Sequence, residues 1–453
     1  MVGLAVSVAE GKAPRAVVIG AGLAGLAAGY RLSRDGWDVL VLEREGEVGG
    51  RCRTVVQGGF QFDTGAQYFR DSYDSVLKTA IELGLGDRFR IPSPSAAYFY
   101  RGKAARFAPR SLNPLALLPW RALGPKGLVE AVSIAVPLLR GYRSYNMRFP
   151  HRWVNGDLRT AADFLCARTK PDFMRSFCEP LSCYALGVEP DRTSAAAFLA
   201  ALRATFADRT GCFTGGIGLL PDSLAKRVRV MCGMEAQRVV LEGSVAVAVK
   251  ARPTEGGRQR SYRADLVVCA VPAPLVGGIT GGLGGTAERM ISETEYSPEI
   301  VVNIGFAAEV GGEAGPVLLP ASGGFRFDWA LTNMSKSLEY APPGATGITL
   351  VCPGRRSASL IGEEDDALIE MALGEAGKVF GMIAAPPVQS RVDRHTLGRP
   401  VVSPGHAGRV RRLWEEGSGI KNLVLAGDWT RSPTIEGAVM SGFYAAEIAG
   451  LRR

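Results

Sequence analysis

Three histidines are spread over 453 residues, at His151, His395 and His406, and all lie far apart in sequence. The eight cysteines (Cys52, Cys166, Cys178, Cys183, Cys212, Cys232, Cys269 and Cys352) include no CxxC pair, and Cys178 and Cys183 stand closest. This scarcity of clustered ligands speaks against zinc or any other metal. Scattered cysteines in a long chain fit a reducing compartment, which points to the cytoplasm. No stretch reaches the ~18 uninterrupted apolar residues of a membrane span. The net charge is +9, from 53 basic and 44 acidic residues. No dense basic run with interleaved aromatics carries it, so no nucleic-acid partner is expected. Charged residues make up 21% and hydrophobic residues 47%, a globular composition. The opening "MVGLAVSVAEGKAPRA" has an apolar patch but no basic start. Residues 1–13 are therefore expected to be a disordered leader and not a secretion signal.

Glycine, by contrast, is abundant: 57 residues where about 32 would be ordinary. Many turns and close backbone approaches follow. The length suggests two domains or three. Ala16–Ile19 reads as a buried parallel strand, Leu23–Arg34 as a helix ended by Asp35-Gly36, and Trp37–Leu42 as a second strand closing at Glu43. Residues 91–210 change character, with Pro92, Pro94, Pro114 and Pro119, long apolar helical patterns and many arginines, and read as a mostly helical insert. Within it, "SLNPLALLPWRALGPKGLVEAVSIAVPLLRGYR" (111–143) is apolar with basic punctuation. It is either a buried helical hairpin, or a peripheral membrane contact or tunnel mouth for a greasy substrate. Residues 212–275 and 296–352 turn β-rich, and the chain closes with strand, loop and helix.

The decisive feature is Gly20-Ala-Gly22-Leu23-Ala24-Gly25, between a strand and a helix. The first glycine permits a tight turn, the second lets backbone approach a pyrophosphate, and the third lets the helix pack close to the strand. The helix start offers unpaired N–H groups and the positive dipole end. Glu43 lies 18 residues after Gly25, where a carboxylate can accept from ribose hydroxyls. Gly49-Gly50-Arg51 then bring a second pliable backbone and a guanidinium able to fork onto a pyrophosphate. Near the other end, "TIEGAVMSGFYAA" is rich in small residues, which permits close packing against a cofactor, and its helix start can stabilise negative charge.

Five stretches resemble the FAD-dependent superfamily of amine oxidases, protoporphyrinogen oxidases and phytoene-type desaturases: "VVIGAGLAGLAAGYRLSRDGWDVLVLEREGEVGGRCRT", "FDTGAQYF", "GGIGLLPDSLA", "ADLVVCAVP" and "NLVLAGDWTRSPTIEGAVMSGFYAAEIAG". The resemblance implies an α/β chain: a Rossmann-like (GR2-type) FAD-binding domain with a substrate domain of mixed sheet plus helical insert. The FAD-binding domain would be discontinuous, from 14–90, 212–290 and 393–453. The substrate domain would take 91–211 as helical insert and 291–392 as sheet. Glu43 would hold the adenosine ribose, with Arg44 beside it, and Gly22–Ala24, Gly50 and Arg51 the pyrophosphate, with Gly20 and Gly25 shaping the turn. Gly65, Ala66 and Gln67 would pass near the flavin ring, Gly427 and Asp428 would meet the ribityl–phosphate part, and Ile435, Glu436 and Ala438 would open the last helix under the ring.

FAD would be held non-covalently, because no Cys or His lies in the final segment. The cofactor carries the chemistry, so no catalytic triad is expected and no catalytic residue is assigned. Tyr68, Trp329 and Trp429 are candidate substrate contacts, with Asp328 beside them. Phe325, Phe327 and Trp329 would share one face of a strand. Two amine-oxidase features are missing by eye. No lysine stands in "SPEIVVNIGFAAE", and no aromatic precedes the "EGA" turn, where Pro433-Thr434-Ile435 stand. The expected activity is removal of hydrogens from a large apolar substrate, in a protoporphyrinogen oxidase-like or desaturase-like manner. Amine oxidation at a C–N bond, or a flavoprotein without net redox turnover such as an isomerase, are the alternatives.

Overall fold

The computed structural model describes residues 13–91, 96–100, 103–107, 120–153, 157–311, 315–381, 383 and 385–451. The leader expected at 1–13 lies outside them except for Ala13. A five-stranded parallel sheet forms the nucleotide-binding half. Its centre is β1 (Arg15–Ile19), flanked by β2 (Asp38–Leu42) on one side and Leu266–Cys269 on the other. Arg229–Met231 and Leu423–Leu425 form its edges. Both faces are covered, so these strands read as unbroken apolar runs, VVI, VLVL and LVVC.

Between β1 and β2 runs α1 (Leu23–Arg34). Its outer face packs against the last helix, Ile435–Leu451. Small residues make that crossing possible. A Cβ on Gly442 would collide with the Ala24 carbonyl, and one on Gly25 with the Gly20 carbonyl. The two ends of the chain therefore meet backbone to backbone over one sheet.

The second half is built on a seven-stranded sheet that mixes mostly antiparallel pairs with one parallel pair. Tyr296–Phe306 pairs with Thr346–Pro353 on one side and with Pro387–Pro400 on the other. Residues 393–400, expected with the nucleotide-binding part, thus belong to this sheet. The segment 91–211 is also less helical than expected. Ala96–Tyr100 and Lys103–Phe107 form a hairpin on the sheet's edge, joined through Val317–Leu318. Elsewhere the described part of that segment is largely helical, with Glu179–Leu186 packed on Ala195–Ala207, until the strand Thr210–Phe213 begins; α2 (Asp74–Glu82) precedes the segment and packs against the last helix.

The strand expected around "GGFRFDWALTN" begins only at Trp329. The buried Glu375 carboxylate accepts the N–H groups of Arg326 and Phe327, at 2.6 and 3.1 Å, and takes those amides away from the ladder. Phe325 and Phe327 consequently pack behind the sheet, while Trp329 packs in front, so the three do not share a face.

Residues 111–119 of the greasy segment lie outside the described residues. Its remainder is α3 (Trp120–Arg140) followed by turns. Ile134 is buried against the cluster that holds Trp329, whereas Val129 and Leu139 on the other side are 70% and 68% exposed. Among the described residues no helix is long and apolar enough to cross a membrane.

Candidate active site

One cleft of about 820 Å³ runs from the strand ends of the parallel sheet to the front of the second sheet. Its first half is the glycine turn. Gly20 has φ +99°, and its N–H donates to the Leu42 carbonyl at 2.8 Å. A Cβ there would sit 2.9 Å from the Ala270 carbonyl oxygen. At Gly22 the same test finds nothing within 4 Å. The space over Gly22 is cleft, and no side chain caps α1. A helix start with free N–H groups beside a gap that only a missing side chain leaves open fits a diphosphate.

Glu43 sits at the end of β2 and lines the cleft. Its Oε2 accepts from the Ala21 N–H at 2.6 Å and its Oε1 from the Glu45 N–H at 2.9 Å. These bonds fix the carboxylate and leave lone pairs facing the cleft for ribose hydroxyls. The Gly49 N–H donates to the Ala21 carbonyl at 2.9 Å, so the second glycine pair runs beside the first. Arg51 follows, donating to the Gly398 carbonyl at 2.8 Å and pairing with Asp428 at 3.0 Å. Burial works most strongly against its charge, but Asp428, Tyr296 and Glu299 together outweigh it and raise the Arg51 pKa above its ordinary value. One ion pair thereby ties the first cradle to the last loop.

Gly20, Gly22, Leu23, Ala24, Arg44, Gly50, Gly65, Ala66, Gln67, Gly427, Asp428, Ile435 and Ala438 all border this cleft. Gly25 does not; it lies beneath, in the helix–strand contact. Glu436 does not either. Its carboxylate is fully buried, accepts from Ser75 and Val76 N–H groups at 3.0 Å each, and pairs with Arg148 at 3.1 Å. Its side chain anchors the start of α2, while its backbone lies in the opening turn of the last helix, where it was expected. Thr434 caps the last helix, accepting from Gly437 N–H at 2.9 Å.

Trp429, expected as a substrate contact, also lines the cleft. Its ring is buried in the core under the parallel sheet, and its Nε1–H donates to the Val271 carbonyl at 3.1 Å. It packs with the parallel-sheet core, whereas Tyr68 and Trp329 pack with the cluster of the second half. Asp328 is fully buried behind the second sheet, is absent from the cleft wall and pairs with Arg356 at 2.6 Å. Burial pushes its carboxyl up to about 7, with Arg356 pulling the other way.

The loop before the last helix is held from behind by His406, whose Nε2–H donates to the Arg431 carbonyl at 2.8 Å. Burial lowers this imidazole to about 4. The folded value lies below the ordinary ~6.5, so the folded chain binds the proton less well than the unfolded one. Stability is then full above about pH 6.5 and declines as the pH falls toward 4, by on the order of 3 kcal/mol in total. Urea midpoints at pH 7.5 and 4.5 should show this slope, and His406→Gln should flatten it.

The second half of the cleft holds Tyr68, Tyr184 and Trp329, with Met147, Ala185, Ala201 and Ala204. Tyr184 and Trp329 meet edge to face at 5.3 Å. Tyr68 and Trp329, expected as substrate contacts, line the cleft together with Tyr184, which comes from a helix without motif and was not expected. Sequence reasoning also missed a buried ion pair under the floor. Lys336, absent from the strand where a lysine was sought, arrives from the turn after Trp329–Thr332. Its Nζ lies 2.7 Å from Asp63 and 2.5 Å from Gln67. His395 also lines the cleft, with Nε2 2.7 Å from the Thr64 carbonyl.

The model of the family "Flavin containing amine oxidoreductase" matches residues 23–449. The chain is 36% identical over 105 residues to protoporphyrinogen oxidase 2, chloroplastic/mitochondrial, of Arabidopsis thaliana, a match covering 23% of this chain and 20% of that protein. It is 22% identical over 467 residues to 15-cis-phytoene desaturase of Synechococcus elongatus, covering 96% and 95%. Its fold matches cyclohexylamine oxidase from Brevibacterium oxydans with a TM-score of 0.75 and 18% identity, over 98% of this chain and 100% of that one. With a matching cradle at one end of the cleft and the family model spanning nearly its whole length, the chain belongs to the flavin-containing amine oxidoreductases and is an FAD-dependent oxidoreductase.

Proposed function

We propose that the protein dehydrogenates a large, lipophilic substrate held in the half of the cleft around Tyr68, Tyr184 and Trp329. The observation that carries this reading is the character of that half: aromatic rings, methionine and alanines, and one carboxylate, Glu299, already paired with Arg399 at 2.8 Å. An ammonium substrate would need an unpaired anion or an open aromatic cage. Here Pro433, Thr434 and Ile435 border the cleft before the last helix, and the positive charge of Arg70 and Arg399 bears on Tyr184.

Bound FAD supplies the two-electron acceptor for a C–H bond presented in this lobe. The chain's own groups orient and shield. Glu43 takes the ribose, Arg51 and the N–H groups of Leu23 and Ala24 take the diphosphate, and the start of the last helix faces the far end. Lys336 and Asp63 fix Gln67 between the two halves, and the apolar lobe keeps water from the reacting carbon.

Substrate delivery from a membrane surface belongs to the same reading. Val129, Val132, Val136 and Leu139 recur at helical spacing on the exposed side of α3, flanked along the helix by the exposed Lys126 and Arg140. Anaerobic mixing tests the proposal. A hydrogenated polyene or tetrapyrrole precursor should bleach the oxidised flavin band and yield the desaturated product, and a broad amine panel should not. Bleaching by amines alone would refute it.

A further inference from the structure

We infer that the substrate carries an anionic group, a carboxylate in the simplest case, and that Arg70 receives it. This deepens the lipophilic-substrate reading and rests on it. Guanidinium groups along the cleft are otherwise neutralised. Arg44 pairs with Glu45, Arg51 with Asp428, Arg53 with Glu47, Arg394 with Asp365 and Arg399 with Glu299. Arg70 lines the same cleft, and among the described residues no carboxylate pairs with it. Its hydrogen bonds go to neutral oxygens, the Ala204 carbonyl at 2.8 Å and the Thr205 hydroxyl at 3.4 Å. Those two bonds fix the fork against the helix Ala195–Ala207 and leave further N–H donors free.

Position decides what the free charge is for. Arg70 follows Phe69 on a two-residue strand paired with Thr210–Phe213, which sets it at the rim of the apolar lobe. Tyr73 and Tyr184, both on the cleft wall, feel its charge. A cation in a partly desolvated, apolar site without a counter-ion favours an incoming anion and repels an amine. A second group points the same way. Trp329 is 2% exposed and lines the lobe, yet its Nε1–H finds no acceptor among the described residues. An anionic substrate brings acceptors of the kind that both donors lack. A pure hydrocarbon would leave the indole N–H unpaired and the guanidinium uncompensated, and an amine would meet the wrong sign.

The test compares cis-parinaric acid with its methyl ester on the FAD-loaded protein, read by polyene fluorescence and by perturbation of the flavin spectrum. The two probes share one chain and differ in charge. The acid should bind about tenfold to a hundredfold more tightly than the ester. Arg70→Gln, with flavin content as the control for folding, should bring the acid down to the ester's level. Equal binding of acid and ester by the wild type would overturn the anion proposal while leaving the lipophilic reading intact. A preference that survives in Arg70→Gln would also overturn it. Binding of neither probe would remove the lipophilic reading, and the proposal with it. The wild-type comparison stands even where the variant fails to fold.

Discussion

Replacing Lys336 with methionine is expected to cost about 3–5 kcal/mol of stability. The reason is the company the ammonium keeps. Its Nζ lies 2.7 Å from Asp63 Oδ2 and 2.5 Å from Gln67 Oε1, and neither member of the ion pair is exposed. The rings of Tyr340 and Tyr68 stand 5.0 and 5.6 Å from it. Asp63 has other donors: the Thr54 hydroxyl at 2.6 Å, the Ile217 N–H at 3.0 Å and the Tyr340 hydroxyl at 3.2 Å. Those hydrogen bonds do not cancel its charge. Methionine fills the volume but leaves a buried carboxylate without a counter-ion, which is the costly half of breaking such a pair.

Urea unfolding at pH 7.5 should show the loss as a lower midpoint. Lys336→Met combined with Asp63→Asn should recover at least half of it, because both charges are then gone. A loss below about 1 kcal/mol, or a double variant no better than the single one, would contradict this assignment. Gln67 should loosen too, since Lys336 holds its carbonyl end while the Asp63 and Gly65 carbonyls hold its amide.

The nucleotide half was legible in the sequence because its signals are local. The apolar run, the glycines and the helix-forming stretch follow one another, and α1 spans Leu23–Arg34 as its pattern suggests. Glu43 was legible for the same reason, standing where β2 ends. The last helix opens at Ile435, where the resemblance put it, and the Thr434 hydroxyl that caps it was not singled out in the sequence.

The substrate half was legible only in part, because its parts come from distant elements. Lys336 and Asp63 are 273 positions apart, and nothing in "TNMSKSLEY" marks the lysine as buried. Tyr184 is set against Trp329 by a helix whose sequence reads as ordinary core. The strand expected before Trp329 failed because a single carboxylate, Glu375, captured two backbone amides. Glu436 opens the last helix as expected, but the destination of its side chain was not legible. Its place next to the cofactor-facing residues is evident in sequence, but a helix turns successive side chains in different directions, and this one points to α2.

We propose that the first and last helices would hold a single FAD between them, with Gly22 leaving room for its diphosphate. The most direct measurement is FAD titrated into apoprotein of the wild type and of Gly22→Val, with the bound fraction read from flavin retained on ultrafiltration. Gly22 has an extended backbone with φ −71° and ψ 174°, which valine adopts readily, and nothing stands within 4 Å of the new Cβ. The valine branches therefore enter the cleft and leave the fold intact. Their overlap with the diphosphate is expected to cost about 1–3 kcal/mol, so binding should weaken about tenfold to a hundredfold while the urea midpoint of the apoprotein stays at the wild-type value. FAD bound by Gly22→Val with undiminished affinity, or a folded wild-type protein that retains no FAD, would contradict the claim.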